Sequence, residues 1–505
     1  MLGHWYDHPY TCLLILPCLA CSGLAQESAE LVASRNMIGT AINLPDELTD
    51  ENIVWRTDLP HNKHTYAQPV IAGDFLLVGM DGRELSKNDR YQHKTRAALH
   101  CYDVESGDIR WRMGMGPKGP WWASHGVCST PYVEDDRVYL VSPVGQFLCL
   151  DLQGQADGND GEFQDEATML GVDALLPSDG DVIWAYNFAR DHRIRAHDAH
   201  SSDPLIIGDL IIFATGHAAG VKPTPAWAKA KDRKNWKYNA APNLIVLNKH
   251  DGSLVATDDL VIDEIYHGQW SSPALLSVDG DQQIVWGDGE GYLHGLRLPT
   301  DGSNSLEPLW RIDCVPSDMR AHPFPGHHGK KPIEGPSHVI GKPVVVGKRI
   351  FLATGRDHFY SGRSDDEATR GRMASPTVFR CLEVSGSSTP QVVWETPIIV
   401  TQSTASVLDD LVFITDSMGF VHCLDANTGE RYWQHDTGDD VTCRSQYVAD
   451  GKLYVGNDHR EFLVLRAAKE PEVLFHFETE RLTATPTAID GKLILAEDRR
   501  ITIYR

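Results

Sequence analysis

Residues 411–433, LVFITDSMGFVHCLDANTGERYW, read as three strands joined by two turns. Leu411–Thr415 is an apolar, β-rich run, and residues 416–419 form a turn of small and polar residues. Phe420–Asp425 is a second strand. Asn427-Thr428-Gly429 is a tight turn, and residues 430–434 are a third strand carrying Trp433. Asn and Gly tolerate the positive φ that such turns need, and β-branched and aromatic flanks suit a pleated surface. Upstream, residues 403–408 and the Asp409-Asp410 turn supply a fourth strand. The result is one antiparallel unit of about forty residues, the size of a propeller blade.

The unit recurs. A Gly/Asp-type turn between apolar runs stands at Gly73-Asp74, Asp135-Asp136, Gly208-Asp209, Gly280-Asp281, Gly347-Lys348, Asp409-Asp410, Asp450-Gly451 and Asp490-Gly491. A third-strand signature follows each, from LHCYD ending at Asp103 to ITIYR ending at Arg505. An outer-strand aromatic recurs as Trp111, Trp184, Trp310, Trp394, Trp433 and Phe475, with Val255 taking its place once. The last unit lacks its outer strand, whereas Asn52-Ile53-Val54-Trp55-Arg56 has that pattern and no unit of its own. The expectation is an all-β, eight-bladed β-propeller of four-stranded antiparallel blades. The strand around Trp55 completes the last blade and removes an exposed sheet edge.

The repeat resembles the PQQ-like propeller family, whose blade motif is roughly Ala-x-Asp-x-x-Thr-Gly-x-x-x-Trp. Cys423-Leu424-Asp425-Ala426-Asn427-Thr428-Gly429 leading to Trp433 carries the resemblance, and Tyr102-Asp103-Val104-Glu105-Ser106-Gly107 leading to Trp111 nearly repeats it. The family includes quinoprotein dehydrogenases and BamB-type outer-membrane assembly factors, so the fold by itself names no activity. Its quinone enzymes typically set a vicinal disulfide against the cofactor. This chain has no adjacent cysteine pair and no recognisable calcium-and-base set, which speaks against bound PQQ.

Residues 1–25 read as a signal peptide: a short apolar stretch, then the small-x-small site Gly23-Leu24-Ala25. Cys21 only faintly suggests a lipoprotein box, so a soluble exported protein is expected. Residues 26–50 read as a flexible lead-in and 51–505 as a single propeller. No internal run is long enough to span a membrane. The net charge of −24 excludes nucleic acid as a general partner. Of ten cysteines, Cys101, Cys149, Cys381 and Cys423 share one strand position and read as small buried hydrophobes.

The long insertions fall between second and third strands, or between blades. Strand alternation brings both loop types to one face. That face gathers Trp121, Trp122, His125, His192, His200, Gln269, Trp270, His322 and His358 as candidate ligand-binding residues. Guanidinium groups bind carboxylates through paired hydrogen bonds, and indole faces stack on sugar rings, so an anionic or sugar-like ligand is expected there. His192, His197 and His200, with His322, His327 and His328, also raise transition-metal binding, although loop histidines are commonly satisfied by backbone. On the opposite face, residues 151–162 form an oxygen-rich run in which Asp151, Asp157, Asn159 and Glu162 are candidate calcium ligands. A solvated acidic turn is the plainer reading of that run.

Three functional classes remain. The favoured one is a non-catalytic exported binding or scaffold protein of BamB-like type, which demands nothing beyond the ring and its loops, meeting an envelope protein or glycan as a monomer without a resident cofactor. The second is β-elimination on an acidic polysaccharide, for which Arg195, His197, Tyr266, His267 and Arg356 supply cation and base. The third is a PQQ-dependent dehydrogenase.

Overall fold

The structure, a computed structural model, describes residues 32, 35–59, 66–95, 97–115, 125–196, 199–218, 241–262, 268–300, 302–317, 320, 339–355 and 376–505. Eight four-stranded sheets follow one another along the chain, each antiparallel and, in seven cases, ordered as in the sequence. Blade 1 covers strands within 70–114, and blades 2 to 7 occupy 132–186, 205–257, 274–313, 344–399, 406–436 and 447–478. The eighth sheet pairs Thr487–Ile489, Lys492–Glu497 and Arg500–Tyr504 with Ile53–Asp58 as its outermost strand. Trp55 lies opposite Ile503 and Thr57 opposite Ile501. The ring thus closes where the sequence places its seam.

The inner hairpin turns take the left-handed conformation at the residues the sequence marks: Gly73, Asp135, Gly208, Gly347, Asp409, Asp450 and Asp490 all have φ between 48° and 59°. Blade-to-blade packing runs through the outer-strand tryptophans. Trp55 donates its indole N–H to Val104 O at 2.7 Å, Trp111 to Leu152 O at 2.8 Å, Trp394 to Ala426 O at 3.0 Å and Trp433 to Ala468 O at 3.0 Å. Each acceptor belongs to the blade after the tryptophan's own. The neighbouring turn glycine makes room: a Cβ on Gly107 would stand 2.7 Å from Trp55, and one on Gly429 2.5 Å from Trp394. The Thr-Gly-x-x-x-Trp spacing therefore encodes both the socket in one blade and the ring that fills the socket of the next.

Cys101, Cys149, Cys381 and Cys423 are buried free thiols, as their shared strand position implies. Burial pushes the thiols of Cys149, Cys381 and Cys423 up to about 12, which leaves them as packing groups.

The lead-in differs from expectation. Residues 35–50 are described as packed chain. Met37 N–H donates to Ala405 O, Gly39 N–H to Val448 O and Val448 N–H to Met37 O. Asn36 exchanges two hydrogen bonds of 2.8 Å with the backbone of Val407. Arg35, only 5% exposed, donates to Pro273 O, Asp203 O and Pro204 O. This segment crosses the ring axis from blades 3 and 4 to blades 6 and 7. Backbone hydrogen bonding, invisible in its mixed composition, orders it.

Candidate functional site: a recess on the ring axis

Six blades begin their innermost strand after an X-Pro pair: Gln68-Pro69, Thr130-Pro131, Asp203-Pro204, Ser272-Pro273, Lys342-Pro343 and Thr485-Pro486. Thr404-Ala405 and Ser445-Gln446 stand at the same place in blades 6 and 7. Proline biases the preceding residue toward extended backbone, which presents that residue to the axis. The X residues form a girdle in which the backbone N–H of one blade donates to the side-chain oxygen of the next. Gln68 donates to Thr130 at 3.2 Å, Thr130 to Asp203 at 2.7 Å and Asp203 to Ser272 at 2.9 Å. Lys342 donates to Thr404 at 3.0 Å, Thr404 to Ser445 at 2.8 Å and Ser445 to Thr485 at 2.9 Å. Lys342 has no acceptor to offer and interrupts the girdle. Its ammonium instead pairs with Asp203. At the other break the Gln68 amide donates to Pro486 O.

The girdle lines a cavity of about 180 Å³, to which every blade contributes. Tyr66, His125, Cys128, Ser201, Trp270, Ile340, Cys443 and Arg444 complete its wall, with Met37 from the crossing segment. These residues end the blade-to-blade connections, so the recess lies on the elaborated side of the ring. A second cavity, lined by residues of the innermost strands, shares Met37, Gln68, Thr130, Asp203 and Lys342 with the first.

Arg444 is 3% exposed. It donates to Leu482 O at 2.9 Å and pairs with Asp458, which Arg481 also reaches at 3.3 Å. Burial acts to raise the Asp458 carboxyl, but the two guanidinium groups outweigh it and hold that carboxyl below its usual range. Arg444 Nε and Ser201 Oγ are buried without a hydrogen-bond partner. Cys443, just before Arg444, has φ 56°, and its N–H donates to Gln402 Oε1 at 2.9 Å. Burial pushes the Tyr66 phenol well up, so it stays a neutral hydroxyl.

Two sequence candidates, His125 and Trp270, line this recess. Others are engaged elsewhere. His200 Nδ1 bonds to Thr215 O at 2.6 Å and its ring meets Phe188 edge-on; burial depresses its pKa to about 4, so it is neutral at pH 7. Gln269 spans three chain segments, donating to His217 O and Asn243 Oδ1 and accepting from Gly289 N–H. His192 Nε2 lies 2.7 Å from the Tyr186 hydroxyl, and its pKa is lowered by burial. Arg195 is exposed, with its backbone N–H donating to His217 Nδ1. Trp121, Trp122, His197, Tyr266, His267, His322, His358 and Arg356 lie outside the described residues.

On the far face, Asp151 is buried and paired with Arg137 at 2.6 Å, while Asp157, Asn159 and Glu162 are exposed. Asn159 donates weakly to Glu166, and the run packs over Asp181 and Glu166 rather than around a centre of its own. Among the described residues no group of three or more His, Cys, Asp or Glu side chains is arranged to hold a metal ion.

A family model described as outer membrane protein assembly factor BamB matches residues 42–287. The solved structure of BamB from Moraxella catarrhalis superposes with a TM-score of 0.53 at 14% identity, covering 90% of this chain and 99% of that one. The fold is an eight-bladed β-propeller, and its residues 42–287 are similar to the PQQ-like family. The propeller is also 30% identical over 112 residues to quinohemoprotein alcohol dehydrogenase of Comamonas testosteroni. That match spans 19% of this chain and only 16% of the dehydrogenase. No helix among the described residues is long and apolar enough to cross a membrane.

Proposed function

We propose that the propeller is an exported, non-catalytic binding protein of BamB-like type that engages an envelope partner through the axial recess. The observation carrying this reading is the recess itself, which all eight blades build on the ring axis. Convergent polar groups on a rigid concave wall are the usual form of a recognition site. The BamB family match and the fold likeness to BamB support the role by analogy.

This reading takes no pyrroloquinoline quinone, because the chain has no adjacent cysteine pair and the recess, at about 180 Å³, is smaller than the roughly 300–1,000 Å³ of ordinary ligand pockets. The propeller therefore works without the quinone in this reading. A quinone absorption band and alcohol-dependent dye reduction after mixing with PQQ and Ca²⁺ would reverse that.

Site-specific photo-crosslinking in the envelope tests the binding reading. A photoreactive side chain at His125 is expected to give a discrete crosslinked species, and one at the exposed rim residue Val392 none. Equal crosslinking at both positions, or none at His125, refutes it.

A further inference from the structure

We infer that the recess is an anchor pocket: it takes one neutral aromatic side chain, a single ring in size, from the partner chain and turns away ions of either sign. This inference rests on the binding reading above and names the side-chain chemistry that the same site would recognise.

Charge on the wall is already closed. Among the described residues its permanent cations are Lys342 and Arg444, and they pair with Asp203 and Asp458. Asp203, the carboxylate of the described lining, is held in the first of those pairs. The polar side chains are committed too. Thr130, Asp203, Thr404, Ser445 and Thr485 each accept the girdle N–H of a neighbouring blade, and the Gln68 amide gives to Pro486 O. Gln402 Oε1 takes the Cys443 N–H. Ser201 Oγ and Arg444 Nε have no partner, but both atoms are buried and so do not open onto the recess. An ion entering this space sheds its water and meets no uncommitted counter-charge, which is costly, whereas a neutral apolar group gains by leaving water.

What the wall leaves open is apolar. Tyr66, Cys128, Ala199, Trp270 and Ile340 stand in successive connections ahead of blades 1 to 5, and Met37 of the crossing segment joins them. The Tyr66 ring lies 6.3 Å from that of His125, tilted by 42°, so the wall is in part aromatic and offers ring edges and faces to a guest ring. The volume sets the size. About 180 Å³ is near the roughly 150 Å³ of an apolar cavity that holds benzene, and below the roughly 300–1,000 Å³ of pockets for whole ligands. A space of that size on the elaborated side of the ring suits the anchor residue of a larger interface, where a buried aromatic carries much of the affinity.

The test is saturation-transfer NMR titration of the full chain with pentapeptides Ala-Ala-X-Ala-Ala blocked at both ends, X being Phe, Asp or Lys, and with benzyl alcohol. The Phe peptide is expected to bind at least tenfold more tightly than the Asp and Lys peptides and than benzyl alcohol. Ala199→Leu, which fills the recess, is expected to weaken that binding at least tenfold. Ile340→Ala, which enlarges it, is expected to raise affinity severalfold for the same peptide carrying naphthylalanine at X, and keeps the test decisive if the first variant does not fold. No binding of the Phe peptide, or an Asp or Lys peptide binding as tightly, overturns the inference. So does Phe-peptide binding with neither variant changing affinity, and so does benzyl alcohol binding as tightly as the Phe peptide, which would make the ligand a free small aromatic. Failure here with the His125 crosslink intact removes only the aromatic anchor. Loss of the crosslink with Phe-peptide binding intact keeps the anchor chemistry and removes the envelope partner instead.

Discussion

The propeller buries charge in two places and treats it in opposite ways. At the axial recess, carboxylates meet cations: Asp203 pairs with Lys342, and Asp458 with Arg444 and Arg481. At the rim of blade 2, Asp181 and Glu166 are fully buried beneath residues 153–165 and are held by amides rather than cations. Asp181 accepts from Gln155 Nε2 and Asp160 N–H at 2.9 Å, and Glu166 accepts from Val182 N–H and Asn159. Burial, reinforced by Glu166, Asp151 and Asp160 nearby, raises Asp181 to about 7 against the opposing Asp160 amide. The paired enclave is set for ionised groups and carries unspent donors. The rim enclave shifts its carboxyls toward the neutral form and closes on itself. Chemical capacity follows how charge is compensated, and counting acidic or basic residues misses it.

The largest break in this comparison should come from the joint between blades 1 and 2. Trp111→Ala removes a fully buried indole, its bond to Leu152 and the filling of the socket beside the rim enclave. It should cost about 3–5 kcal/mol in denaturant unfolding. Asp458→Asn leaves Arg444 in the recess wall and Arg481 behind it without their carboxylate and should cost about 3 kcal/mol by the same measurement.

The rim enclave should betray itself through pH. With Asp181 raised from 3.8 to about 7, the folded chain holds a proton that the unfolded chain has released. Its stabilising state is complete below about pH 4 and is lost as pH rises through 7. Wild-type stability should therefore fall across that window relative to Asp181→Asn, by on the order of 2 kcal/mol in paired urea titrations. A flat difference between the two proteins would place the charge elsewhere. The smallest effect is expected from Thr485→Val, which strips the acceptor from Ser445 N–H in the girdle and should cost about 1 kcal/mol.

The ring was readable because its rules are local. Each turn residue with positive φ, each third strand and each tryptophan sits within one repeat, and even the closing strand at Trp55 announces itself by lacking a partner. The girdle obeys a rule that no single repeat displays. Its donors and acceptors lie 40 to 73 positions apart, and Gln, Thr, Asp, Ser and Lys before proline look like ordinary turn residues. The repeated X-Pro pair was the available signal. Histidines chosen for their chemistry fared unevenly: His125 lines the recess, while His200 is absorbed in packing against Phe188 and bonding to Thr215. Imidazole content alone does not separate these uses, because burial and backbone partners decide them. Arg444 escaped notice because nothing around Val441-Thr442-Cys443 marks an insertion.

The crossing at residues 35–39 has a consequence for the order of events during synthesis. Its partners lie at 405–407 and 448, and those of the strand at 53–58 lie at 500–504. A growing chain carries the crossing segment only partly seated until residues 405–448 are made, and the strand at 53–58 unpaired until residues 500–504 are made. Such distant pairing slows assembly and leaves an open strand edge for its duration. A holdase that shields the nascent chain until residues 500–504 emerge would relieve that exposure.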